Sequence, residues 1–111
     1  MRHAHTTDQE LQETLDKFRV MTPIFTVLAD ENRQLIIGEL GRRNQLNVKE
    51  LDEIIPLSRP AISHHLKILK QAGIVNSNKK GTENYYYLTI KHAVESVRAL
   101  CDAIEDACNL L

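Results

Sequence analysis

The sequence is poor in the features that would take it out of the ordinary globular class. No apolar run approaches the roughly 18–20 residues that a membrane span needs. The opening stretch MRHAHTTDQE lacks the apolar segment of a secretory leader. A cytoplasmic protein with no membrane contact is therefore expected. Only two cysteines are present, Cys101 and Cys108, which excludes a disulfide framework and fits a reducing compartment. No repeat, low-complexity tract or inter-domain linker interrupts the 111 residues, so a single domain over 1–111 is expected. Nucleophile–base–orienter sets, glycine-rich phosphate loops and paired-carboxylate motifs are also missing. Neither an enzyme nor a bound cofactor is expected.

One local absence is more informative. Between Ile54 and Thr82 there is no Asp or Glu, while Arg59, Lys67, Lys70, Lys79 and Lys80 all fall inside that window. The window carries five positive charges on a chain of net charge −1, which leaves −6 for the remainder. A basic segment on an acidic body reads as an electrostatic footprint for a polyanion; the plainer alternative is a lysine-rich solvated face. Apolar content of 42% and charged content of 26% are those of a folded chain.

Helical signals dominate what is present. Leu11, Leu15 and Phe18 recur at i, i+4 and i+7 and give a first amphipathic helix, placed within 1–21. Thr22-Pro23 is an N-cap and first-turn pair and predicts a new helix start. LADENRQLIIGELG then gives a helix with Leu35, Ile36 and Leu40 inward and Gly41 near its end. Asn47 followed by Glu50 is a capping-box start to the short helix VKELDEII, closed by Pro56. Ser58 caps the next helix, Pro60 lies in its first turn and Gly73 takes the left-handed position after its end. In IVNSNKKGTENYYYLTI the period changes, and two β-prone runs flank a Lys79-Lys80-Gly81 turn. A last helix runs from about Lys91. This order predicts a mainly α fold with a small β-hairpin wing. It is a winged helix-turn-helix, with the helix-turn-helix over 47–73, the wing over 74–89 and the last helix over 90–111.

The helix SRPAISHHLKILKQAGIV separates into two faces. Ile62, Leu66 and Leu69 form an apolar stripe, while Pro60, Ser63, His64, Lys67 and Gln71 form another, with Arg59 at its edge. Hydroxyl, imidazole and cationic groups on the N-terminal half of an exposed helix suit the donor and acceptor pattern of a DNA major groove. Lys67, Lys70 and the N–H groups behind Ser58 can hold phosphates. His65 falls between the faces, with packing and phosphate contact both open. Lys79 and Lys80 suit neighbouring phosphates or the minor groove. Double-stranded DNA is the expected partner.

LADENR, LSRPAISHHLKILKQAGIV and KKGTENYYYL resemble the ArsR/SmtB family of bacterial winged-helix repressors. The resemblance covers roughly Pro23 to Leu88, with a matching helix on either side. It implies a homodimer that binds a palindromic operator and is released by a small inducer. Glu31 stands where the family usually has proline, and Gln34 where an apolar residue is common. One family metal site uses a Cys-x-Cys pair whose positions here are Asn47 and Lys49, which supply no thiolate. A second uses four ligands whose positions here are Ile90, His92, Ala103 and Asp106, and only two of them can coordinate. No metal site is expected, apart from the weak chelating pattern of a free amine with His3 and His5.

The last helix carries Ile90, Val94, Val97, Cys101, Ile104, Cys108 and Leu111 at alternating four- and three-residue spacings. That is a continuous a/d seam. Dimerisation through the first and last helices is therefore expected, with Leu11, Leu15, Phe18, Val94, Val97, Cys101, Ile104, Cys108 and Leu111 at the interface. The cysteines fit the seam as small apolar fillers; the alternative is a thiol- or metal-responsive repressor that uses them. Their nearest charges in sequence, Asp102, Glu105 and Asp106, give no reason for a lowered thiol pKa. A further alternative, a winged helix serving protein–protein contact only, is disfavoured by the acid-free basic window.

Overall fold

In the computed structural model, residues 7–108 are described. The elements are α1 (Asp8–Leu28), α2 (Glu31–Arg43), α3 (Val48–Ile54), α4 (Arg59–Gln71), β1 (Val75–Lys80), β2 (Glu83–Leu88) and α5 (Lys91–Cys108). His3, His5 and Leu111 lie outside the described residues. The described residues form two compact units: 7–24 together with 91–108, and Phe25–Ile90.

The Phe25–Ile90 unit is the winged helix. Its core is made of Ile36 and Leu40 from α2, Leu51 and Ile55 around α3, Ile62, Leu66 and Leu69 from α4, and Ile74 and Val75 at the entry to β1. Ile36, Leu51, Ile62, Leu66, Leu69 and Ile74 have no solvent exposure at all. Truncating such a side chain to alanine costs about 2–5 kcal/mol. The inward set on α2 is Ile36 and Leu40 only. Leu35, expected inward, is 48% exposed, because a residue one position before Ile36 is turned about 100° around the helix.

Local chemistry sets the boundaries of these elements. Asn47 and Glu50 form the full capping box: the Asn47 side chain accepts from the Glu50 N–H at 2.8 Å, and the Glu50 carboxylate accepts from the Asn47 N–H at 3.0 Å. Ser58 Oγ accepts from the Ala61 N–H at 3.3 Å at the start of α4. At the other end Gly73 sits at φ 75°, its N–H donating to the Lys70 carbonyl and the Ile74 N–H to the Leu69 carbonyl. This is a Schellman motif, and its left-handed residue is one that glycine occupies without strain.

β1 and β2 pair antiparallel from Val75↔Leu88 to Lys80↔Glu83. The turn is therefore Gly81-Thr82, and Lys79 and Lys80, expected in the turn, end β1 instead. Leu46 and Tyr86 exchange backbone hydrogen bonds of 3.1 and 2.8 Å, which anchors the hairpin to the α2–α3 connection.

α1 does not break at Thr22-Pro23. The expected helix start there is overturned: α1 runs through Pro23 to Leu28. Instead of capping forward, the Thr22 hydroxyl donates backward to the Phe18 carbonyl at 2.8 Å. The break comes at Asp30, whose carboxylate accepts from the Asn32 and Arg33 N–H groups at 2.8 and 3.1 Å. The Arg33 hydrogen bond, helped by the Asn32 N–H and the guanidinium, holds the Asp30 carboxyl below its ordinary value against some desolvation. α2 continues past Gly41 and ends at Asn44, which has φ 73°. α1 begins with a second box, Thr7 and Glu10, which cap each other's N–H groups.

In the unit formed by 7–24 and 91–108, buried residues recur every seven positions. They are Thr14 and Met21 on α1, and Ala93, Leu100 and Ala107 on α5. The apolar seam of α5 follows that row by one residue (Val94, Cys101, Cys108), which turns it about 100° from the buried row.

Candidate nucleic-acid interface

The outward face of α4 is assembled by the same periodicity that buries Ile62, Leu66 and Leu69. Ser58, Arg59, Pro60, Ser63, His64, Lys67, Lys70 and Gln71 are all exposed. α4 has no acidic residue, and α3 and α4 pack directly against each other. A helix presented this way offers hydroxyl, imidazole and ammonium groups on a surface whose removal from the protein would cost the core nothing. His65, placed between the faces, is half-buried.

Three polar contacts around this face were not legible in the sequence. Arg59 Nε donates to Asp52 Oδ2 of α3 at 3.0 Å, both side chains being partly exposed. Arg33 Nε donates to His65 Nδ1 at 3.3 Å, joining α2 to α4. Lys70 Nζ donates to Ser77 Oγ at 3.0 Å, joining α4 to β1. An ammonium carries three donors, so Lys70 keeps two for a phosphate.

The Lys70 contact also orients the wing. Successive side chains on a strand alternate faces, so Lys79 and its cross-strand neighbour Asn84 share the Ser77 face, the one turned to α4. Lys80 lies on the opposite face, its ammonium 5.3 Å above the Tyr85 ring. The two lysines, equivalent in sequence, are thus separated by the sheet. Asn84, exposed beside Lys79, is a candidate that no sequence signal singled out.

Of the expected interface residues on the terminal helices, Leu11, Leu15, Phe18 and Val94 are exposed. Cys101 and Cys108 are exposed free thiols, and Val97 and Ile104 are half-buried. Val20 and Phe25 are further exposed apolar residues of α1 that the sequence reading missed. At the metal-site positions, Asn47 is a buried capping residue, and His92 and Asp106 are exposed on α5. Among the described residues no three His, Cys, Asp or Glu side chains converge. No helix among them is long and apolar enough to cross a membrane.

The model of the bacterial regulatory protein family arsR matches residues 30–77, from the cap of α2 into β1. An HTH-type transcriptional regulator of Methanocaldococcus jannaschii, MJ1325, is 33% identical over 84 residues, covering 76% of this chain and 94% of that protein. The arsenical resistance operon repressor of Bacillus subtilis is 37% identical over 81 residues, covering 73% of this chain and 74% of that protein. Among solved structures, an ArsR-like transcriptional regulator from Rhodococcus sp. RHA1 has a TM-score of 0.69 at 32% identity, covering 78% of this chain and 81% of that one. A likeness that runs beyond the helix-turn-helix into most of the chain makes this protein a member of the arsR family of bacterial DNA-binding transcriptional regulators, a family of regulators and not of enzymes.

Proposed function

We propose that the protein is a homodimeric repressor that places α4 of each subunit in the major groove of one half of a palindromic operator. Ser63 and His64 read base edges. Ser58, Arg59, Pro60, Lys67 and Lys70 set the helix against the phosphates, with His65 beside them. Lys79, and from the wing's other face Lys80, add flanking phosphate contacts. The observation that carries this reading is the outward face of α4, wholly exposed, free of acidic residues and continuous with the Ser77–Lys79 face of the wing.

Dimerisation is assigned to the apolar stripes of α1 and α5, Leu11, Leu15 and Phe18 with Val94, Val97, Cys101, Ile104 and Cys108, together with Leu111, which lies outside the described residues. A two-fold arrangement buries the same stripe twice. In this reading 1–21 and 90–111 dimerise, 47–73 reads DNA and 74–89 is the wing. Release by a small inducer completes the cycle. Asn47 and Lys49 offer no soft ligands, so an arsenical or thiophilic metal at α3 is not part of the proposal.

The test is a binding titration with a duplex that the wild-type chain selects from a random-sequence library. His64→Ala should cost about 1–3 kcal/mol on that duplex and relax preference at one base position. Unchanged preference in His64→Ala would reassign the reading face.

A further inference from the structure

Arg33 ties the end of α1 and the cap of α2 to α4, 32 residues further along the chain. Its Nη1 donates to the Val27 carbonyl at the end of α1 at 3.1 Å, and its backbone N–H is held by the Asp30 carboxylate at 3.1 Å. Its Nε donates to His65 Nδ1 on α4 at 3.3 Å. An imidazole that accepts at Nδ1 has its lone pair there and carries its proton on Nε2. Among the described residues, Nε2 of His65 has no protein hydrogen-bond partner. The ring is half-buried at the border of the groove face, next to His64, whose ring centroid is 5.9 Å away. The guanidinium therefore fixes both the tautomer and the setting of this ring, and leaves a single N–H donor on the edge turned away from α2.

We propose that Arg33 is a positioning residue for DNA binding: it holds His65 so that Nε2–H is presented to a backbone phosphate beside the groove that α4 enters. The proposal rests on the assignment of α4 to DNA. It goes beyond that assignment by naming a residue that touches no DNA itself and by giving His65 a defined donor atom. The Val27 bond also makes the setting of His65 dependent on the end of α1, so a displacement of that helix end reaches the DNA-facing surface through one side chain.

The test is a double-mutant cycle in the full chain, using the duplex selected by the wild type, with Arg33→Met, His65→Ala and the pair. Each single variant should weaken binding about fivefold per subunit, the worth of one ordinary hydrogen bond. The pair should be no weaker than His65→Ala alone, because Arg33 acts only through the ring. Arg33→Lys, which keeps a donor and the charge, should recover part of the loss and guards against misfolding of the methionine variant. Imidazole ¹⁵N spectra supply an independent reading. The hydrogen-bonded Nδ1 signal of His65 should move in Arg33→Met while the backbone amide spectrum of the core is retained. Additive losses in the cycle, an unmoved Nδ1 signal, or wild-type affinity in His65→Ala would each overturn the proposal while leaving the DNA reading standing. Failure of the wild type to select any duplex would instead remove the DNA reading itself and this proposal with it.

Discussion

Asp52→Asn should make this protein bind DNA more tightly. The Arg59–Asp52 pair is 3.0 Å long, with the two side chains 57% and 32% exposed. Solvent-exposed pairs of this kind contribute about 0–1 kcal/mol to folding, so the variant should melt within about four degrees of wild type. On DNA the consequence is larger. The carboxylate competes with phosphate for the only cation in the first turn of α4, and it places a negative charge on the neighbouring helix. Neutralising it frees one guanidinium per subunit, which adds about 0.9 to the slope of log K against log salt for each subunit. Recovering about 0.5–1 kcal/mol per subunit, the energy of the pair now given to phosphate, raises affinity about twofold to fivefold per subunit. For a two-fold dimer the gain compounds to roughly fivefold to thirtyfold. Fluorescence anisotropy at 50, 100 and 200 mM salt, on the selected duplex and on mixed genomic DNA, reads both quantities, these concentrations being about those over which counterion release is resolved. Weaker binding with an unchanged slope would refute the competition, and would mean that Asp52 holds Arg59 in place for DNA.

Other outcomes follow from the same geometry. Lys79→Ala should lower the salt slope by about 0.9 per subunit, and Lys80→Ala by less, because Lys80 lies on the far face over Tyr85; equal slopes would remove the distinction between the faces. Leu11→Glu and Val94→Glu alter side chains 52% and 38% exposed in the single chain. They should leave its folding intact while splitting the dimer, and sedimentation of the wild type as a monomer at micromolar concentration would sink that assignment. Asp30 has a lowered carboxyl pKa, so its contribution to stability is present above the ordinary carboxylate value and is lost as pH falls through the folded one. Melting between about pH 5 and 3 should therefore decline less in Asp30→Asn than in wild type. With Cys101 and Cys108 as seam fillers, the double serine variant should lose some dimer stability and bind DNA alike in reductant and peroxide; peroxide-dependent release confined to wild type would reverse that reading.

The features read correctly from sequence are those whose causes lie within a few residues. Ser58, the Asn47–Glu50 box and Gly73 act on backbone groups one to five positions away, so their patterns survive without tertiary information. Thr22-Pro23 is equally local and misled, because a hydroxyl can satisfy a carbonyl behind it as readily as an N–H ahead. Leu35 misled for a related reason: Leu35, Ile36, Ile37 and Leu40, four apolar residues in six, do not say which direction is inward. The contacts that surround the DNA-facing surface were out of reach. Arg33 and His65 are 32 residues apart, and Arg59 and Asp52 meet across a turn whose geometry no spacing rule supplies. Lys79 and Lys80 needed the strand register before they could be told apart.

The junction at Gly73 has a consequence for how such a protein diversifies. Thr89, just past β2, returns to the end of α4: its N–H donates to the Ile74 carbonyl at 2.8 Å and its hydroxyl to the Gly73 carbonyl at 3.0 Å. The seam between helix and wing is therefore written largely in main-chain bonds, with the Thr89 hydroxyl and the Lys70–Ser77 pair as its side-chain bonds. Substitutions at Ser63, His64, Lys67, Lys79 or Asn84 change what is presented to DNA without touching any bond that fixes the distance between the two reading surfaces. A lineage can therefore acquire a new operator one exposed side chain at a time, on a frame whose dimensions do not drift as its vocabulary changes.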